Sequence, residues 1–76
     1  MAGVIRLTDP ARIGPALGQL RVLLRLTQRQ LCAITGQKQS RLSVWETGAE
    51  TPDLRSVLRV AQALGYDLAL IPKEDA

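Results

Sequence analysis

The side chains of this sequence best equipped for chemistry are cations, and they are unevenly spread. Between Pro10 and Trp45 there is no Asp or Glu, while Arg12, Arg21, Arg25, Arg29, Lys38 and Arg41 all fall in that stretch. From Glu46 onward the balance reverses, with Glu46, Glu50, Asp53, Asp67, Glu74 and Asp75 against Arg55, Arg59 and Lys73. One half of the chain is suited to a polyanion and the other is not. The net charge of +3 says less than this distribution. Other chemistries lack their residues. There is no His, and the single Cys32 excludes an intrachain disulfide or a multi-cysteine metal site. No nucleophile with its base, no carboxylate pair and no phosphate-binding glycine loop presents itself. The expectation is a protein that is not an enzyme, with no catalytic residue, no metal and no cofactor.

The elements that must carry these cations can be read along the chain. Val4-Ile5-Arg6-Leu7 is a short extended candidate. Thr8-Asp9-Pro10 opens helix 1 with a cap and a proline at its first position. Ile13, Leu17, Leu20 and Leu24 give its buried stripe, and Gly14-Pro15 either kinks the helix or delays its start. Thr27, with Gln30 three residues on, makes a capping box for helix 2, roughly Gln28 to Thr35, and Gly36 ends it. Helix 3 runs from about Lys38 to Thr47 with Leu42 and Trp45 inward, and Gly48 stops it. Asp53 caps helix 4, whose apolar stripe is Leu54, Val57, Leu58, Ala61 and Leu64, and Gly65 terminates it. Tyr66 to Ile71 then reads as a strand closed by Pro72.

Seventy-six residues make one domain, 1–76. A core of that size supplies only ~3–5 kcal/mol, so self-association is expected to add burial. No apolar run approaches the ~18 residues of a membrane span. Arg6 and Asp9 interrupt any signal-peptide pattern. A cytoplasmic protein without a membrane partner is expected.

Residues 27–47 are the informative unit: two short helices flank a tight glycine turn, with the small Cys32 at their crossing and Leu31, Leu42 and Trp45 holding the pair. This is the layout of a helix-turn-helix, whose second helix lies in the DNA major groove. The residues resemble the Xre/Cro family, which includes the lambda-type phage repressors. The resemblance rests on Arg21, Leu26-Thr27-Gln28, Leu31, Gly36, Gln39-Ser40, Leu42-Ser43, Glu46, Gly48, Pro52 and Ala63-Leu64-Gly65, and covers about residues 13 to 65. It implies a mainly α, lambda-repressor-like bundle of four helices that binds double-stranded operator DNA. It also implies that Gln28 approaches a phosphate and braces Gln39, and that Gln39, Ser40 and Val44 face bases with Arg41 beside them. The chemistry suits those positions: Gln reads adenine, Arg reads guanine, and an apolar side chain meets a thymine methyl. Arg29, Lys38 and Ser43 are the expected phosphate contacts. Arg21 and Glu46 are read as a structural ion pair. Three departures from the family pattern stand out: Arg25 where many members have Gly, Lys38 in place of a Ser or Thr cap, and Thr35 and Gln37 in place of apolar residues.

Residues 63–72 resemble the end of HipB-type antitoxins, in which a C-terminal strand pairs with its dimer mate. A lone strand leaves ladder groups unpaired. Partners for residues 66–72 must come from Val4–Leu7, from a second subunit, or from both. Tyr66, Leu68, Leu70 and Ile71 are therefore the expected dimer interface. The resulting reading is a homodimeric repressor of an inverted-repeat operator, in its sharper version an antitoxin that also binds a toxin such as a HipA-like kinase. The competing readings are a phage or mobile-element repressor with no toxin, and an interaction module that has lost DNA reading.

Overall fold

Asp9 begins the helical part of the chain: its carboxylate accepts from the Ala11 N–H at 3.0 Å, with Pro10 following. In the computed structural model, which describes residues 3–73, this start gives one 3-10 turn, Pro10–Arg12, before α1 runs Ile13–Leu23. Residues 1–2 and 74–76, the ends of the expected domain, lie outside the described part. Pro15 neither breaks α1 nor delays it. It falls in the first turn, where no N–H has an intrahelical acceptor to lose. Gly14 is there for a different reason. A Cβ on Gly14 would collide with the Trp45 backbone carbonyl, and one on Gly18 would press on the Glu46 side chain. The two glycines let α1 lie directly on the helix that carries Trp45 and Glu46.

The second helix, α2 (Gln28–Thr35), is opened by a complete capping box. The Gln30 N–H donates to Thr27 Oγ1 at 3.0 Å, and the Thr27 N–H donates to Gln30 Oε1 at 2.8 Å. Gly36 ends α2 at φ 79°. Thr35 occupies an apolar position because its hydroxyl is satisfied locally: it donates to the Leu31 carbonyl and accepts from the Gln37 N–H. Helix α3 (Gln39–Thr47) follows Lys38, which occupies the cap position with no side-chain capping bond. Helix α4 (Leu54–Ala63) starts at Asp53, whose carboxylate accepts from the Ser56 N–H at 3.0 Å.

All four helices contribute to one core. Leu17 and Leu20 meet Leu31, Leu42 and Trp45 over Val57, Val60, Ala61 and Leu64. Ile13, Leu26, Cys32 and Tyr66 pack on its margin. Three residues predicted to be inside are not. Leu24 caps the end of α1 and is 49% exposed, while Leu54 and Leu58 are 69% and 37% exposed. The buried face of α4 is centred on Val57, Val60, Ala61 and Leu64, which puts Leu54 and Leu58 at its edge. Val60, fully buried, was the position the stripe lacked.

The predicted strands are a second correction. Among the described residues there is no strand, either at residues 66–72 or at Val4–Leu7. A strand exists only as part of a ladder, and neither segment makes a backbone hydrogen bond to the other. They are nevertheless neighbours, lining a groove of about 290 Å³ over Leu17, Leu20 and Ala61. The large side chains of the C-terminal segment do not share one face. Tyr66 packs on the core, Leu68 and Ile71 line the groove, and Leu70 is fully exposed outside it. Among the described residues, no helix is long and apolar enough to cross a membrane.

Candidate nucleic-acid interface

The site is built on one ion pair. Arg21 of α1 donates from Nε to Glu46 Oε2 at 2.7 Å and from Nη2 to Glu46 Oε1 at 2.8 Å. Its third bond, from Nη1 to the Leu26 carbonyl at 2.6 Å, fixes the turn between α1 and α2. Both side chains are mostly buried, 13% and 11% exposed. Burial pushes the Glu46 carboxyl up. The hydrogen bonds from Arg21 and Gln28 and the charge of Arg21 outweigh it, and the carboxyl sits below its usual range. The Arg21 guanidinium is driven further toward its charged form, chiefly by its hydrogen bonds to Glu46. Cys32, next to this pair, has its thiol pushed up by burial and by Glu46, so it is not an activated thiolate.

From Glu46 the network runs outward to the surface. Gln28 Nε2 donates to Glu46 Oε1 at 3.0 Å. Gln39 Nε2 makes a long contact with Gln28 Oε1 at 3.5 Å. Three helices are thus tied through one carboxylate to the side chain at the head of α3. An amide has two N–H groups, so Gln28 keeps one donor free and Gln39 keeps its carbonyl oxygen and one donor.

The rest of α3 follows from its helical turn of about 100° per residue. Leu42 and Trp45 point inward, which places Ser40, Ser43, Val44 and Thr47 on the opposite side and Gln39 at its edge. Gln39, Ser40 and Thr47 are exposed, and Ser43 and Val44 are half-buried. Thr47 was not among the predicted contacts; its hydroxyl donates to the Val44 carbonyl at 2.9 Å, which leaves its methyl available. Arg41 lies off this face. Its guanidinium carbon stands 5.7 Å from the centroid of the Trp45 ring, a cation–π arrangement that holds it at the flank of the helix. Arg29 and Gln28, with Arg21, Thr27 and Gln39, line a shallow depression at the head of α2. Lys38 is exposed at the head of α3.

The geometry gathers Gln28, Arg29 and Gln39 at one corner, with Ser40, Ser43 and Val44 along the same helix. Arg41 flanks that row and Lys38 is exposed at the head of α3. A helix so exposed, with amides and hydroxyls on its outer face and cations beside it, can enter a major groove and hold phosphates at its rim. No group of three or more His, Cys, Asp or Glu able to hold a metal occurs among the described residues. The network has one further member that spacing did not reveal, the Leu26 carbonyl bound by Arg21, because backbone acceptors carry no sequence signal.

Comparison with known proteins agrees with this geometry. The helix-turn-helix family profile matches residues 17–71. A protein of Sinorhizobium fredii named as the uncharacterized HTH-type transcriptional regulator y4dL is 40% identical over 50 residues. That match covers 66% of this chain and 26% of the relative, so the chain spans about a quarter of that protein's length. No solved structure matches.

Proposed function

Because this chain belongs to the Xre-type helix-turn-helix family of transcriptional regulators, we propose that it is a sequence-specific double-stranded-DNA-binding repressor that acts as a homodimer on an inverted-repeat operator. The observation that carries this is the exposed outer face of α3, with Gln39 at its head. Gln39 is linked to Gln28, Glu46 and Arg21 in three steps of hydrogen bonding. The outermost of these contacts is long and Gln39 is exposed, so the network sets Gln39 beside Gln28 at the entry to the groove and leaves its amide free to bond a base. In this reading Gln39, Ser40 and Val44 face the bases. Gln28, Arg29, Lys38 and Ser43 hold phosphates, and Arg41 reaches the backbone or an outer base from its place over Trp45.

Dimerisation is supported by the apolar groove between Val4–Leu7 and residues 66–71, and by Leu70, which is fully exposed. Two copies joined there would present their α3 helices to half-sites about 34 Å apart. The finer reading is an antitoxin that represses its own operon and binds a toxin such as a HipA-like kinase. Its support is the resemblance of residues 63–72 to HipB-type antitoxins. Co-expression with the neighbouring gene tests it: a stable complex supports the antitoxin, and its absence leaves the plain repressor.

The DNA reading is tested by titrating the protein into selected duplexes across a salt series. Gln39→Ala is expected to lose about 1–3 kcal/mol at one base pair and to change preference there. Arg29→Ala and Lys38→Ala are expected to weaken binding to all sequences and to lower the salt slope by about 0.9 for each phosphate released. Equal weakening of every sequence by Gln39→Ala would overturn its role as a base reader.

A further inference from the structure

Among the described residues, four take left-handed backbone at the end of a helix: Arg25 (φ 60°), Gly36 (φ 79°), Gly48 (φ 84°) and Gly65 (φ 87°). Three of the four stops share one closure. After α1 the Leu26 N–H donates to the Arg21 carbonyl at 3.1 Å and the Arg25 N–H to the Val22 carbonyl at 2.9 Å. After α3 the same two bonds run from Ala49 to Val44 and from Gly48 to Trp45, and after α4 from Tyr66 to Ala61 and from Gly65 to Gln62. This paired closure usually places glycine at its left-handed residue, because a Cβ there crowds the backbone. The backbone at position 25 therefore favours glycine, and an arginine stands in it.

Packing gives no reason for that arginine. Arg25 is exposed, and among the described residues its side chain makes no hydrogen bond, ion pair or aromatic contact. Its position does give one. Arg21 is neutralised by Glu46, so the corner where α1 meets α2 keeps Arg25 and Arg29 as its free cations. They flank Thr27 and Gln28, and Thr27 and Gln28 with Arg29 line the depression at the head of α2. Consecutive Cα atoms are about 3.8 Å apart, so the Arg25 backbone lies within about 8 Å of Thr27. The turn is also rigid, since Arg21 Nη1 binds the Leu26 carbonyl.

We propose that Arg25 is a DNA-backbone contact that takes a phosphate next to the one at the head of α2, and that this contact is what retains a cation in a glycine conformation. The proposal rests on the DNA-binding reading above. A guanidinium suits the task because it pairs with phosphate oxygens through two parallel N–H donors. No base is read, so the contact adds affinity without sequence preference.

The test compares the full chain with its Arg25→Gly, Arg25→Asn, Arg25→Lys and Arg29→Ala variants. Each is titrated into a 30-base-pair duplex (about three helical turns) of mixed sequence over a salt series, and melted alone. Arg25→Gly is expected to raise Tm by about 2–6 °C, because glycine relieves the backbone. The same variant is expected to bind several-fold more weakly at 0.1 M salt, with a salt slope lower by about 0.9 per contacting protomer. Arg25→Asn, which also tolerates this backbone, is expected to lose the same slope, and Arg25→Lys to keep it. Unchanged slopes for Arg25→Gly and Arg25→Asn, with a reduced slope for Arg29→Ala, would overturn the role of Arg25 alone. A full chain that binds no duplex would overturn the DNA reading and this contact with it.

Discussion

Glu46 is the residue on which the candidate site depends most. It accepts from Arg21 twice and from Gln28 once, so it serves stability and positioning through the same two oxygens. Replacing it with Gln leaves a mostly buried guanidinium without its counter-charge, which is expected to cost about 2–4 kcal/mol in denaturant titrations. The pH dependence follows from the direction of its shift. The folded carboxyl is held below its unfolded value, so its contribution is complete above the ordinary carboxylate range and is lost as pH falls through the lower, folded value. Wild-type stability is therefore expected to fall on the acid side below about pH 4.3, and Glu46→Gln is expected to lose that part of the slope. Denaturant midpoints from pH 3 to 7 (a window of about one unit or more on each side of the ordinary Glu value) would show an unchanged slope if the pair did not matter.

At the level of elements, two glycines of the same type carry different constraints. Gly14 has ordinary helical backbone and no room: an added Cβ meets the Trp45 carbonyl, which is backbone and cannot swing aside. Gly36 has open space around it and a φ of 79°. Gly14→Ala is thus expected to separate α1 from α3 and cost about 3 kcal/mol or more, as overpacking of a fixed backbone does. Gly36→Ala is expected to cost about 1 kcal/mol through conformation alone. Thermal melts of the two variants beside Gly3→Ala, where nothing lies within 4 Å, separate the two effects. Helix α3 offers the opposite case. Lys38 holds its cap position without a capping bond, so Lys38→Ser is expected to stabilise the protein by about 1 kcal/mol. The same change is expected to weaken DNA binding by removing a cation. A variant that gains stability and keeps full affinity would place Lys38 outside the interface.

At the scale of the whole molecule, the homodimer proposed above would join at the groove between Val4–Leu7 and residues 66–71. Tyr66 belongs to the fold itself: its N–H donates to the Ala61 carbonyl at 2.9 Å and its ring packs on the core. A truncation that probes association should therefore begin at Asp67. Removing residues 67–76 is expected to preserve the helical signal while strongly weakening the dimer. Operator affinity should fall with it, because two linked half-sites gain from being held at fixed spacing. Sedimentation at micromolar concentration followed by an operator titration measures both. A truncated chain that remains dimeric and binds as before would move the interface elsewhere, with the exposed Leu54 and Leu58 of α4 the next surface to examine.

The sequence alone determined the order of the helices, the starts of α2 and α4 and the stops of α2 and α3, because those signals are local. Thr27 with Gln30, Gly36, Gly48, and Asp53 act within a turn or two of themselves. It also determined the acid-free half and the residues of the motif, which a resemblance spanning 13–65 could align. Tertiary structure decided everything that depends on what lies across a gap. It assigned Gly14 to a close helix crossing that a linear reading takes for a flaw, and showed Arg41 stacked over the Trp45 ring. It left Leu54 and Leu58 outside while burying Val60, since an apolar stripe says that a helix has an inner face but not where its neighbour ends. It denied residues 66–72 a strand, because β-pairing needs a partner at hydrogen-bonding distance and one copy of the chain supplies none. Even Arg25, visible from the start as a departure, acquired its meaning only when the backbone showed that it fills a glycine's place.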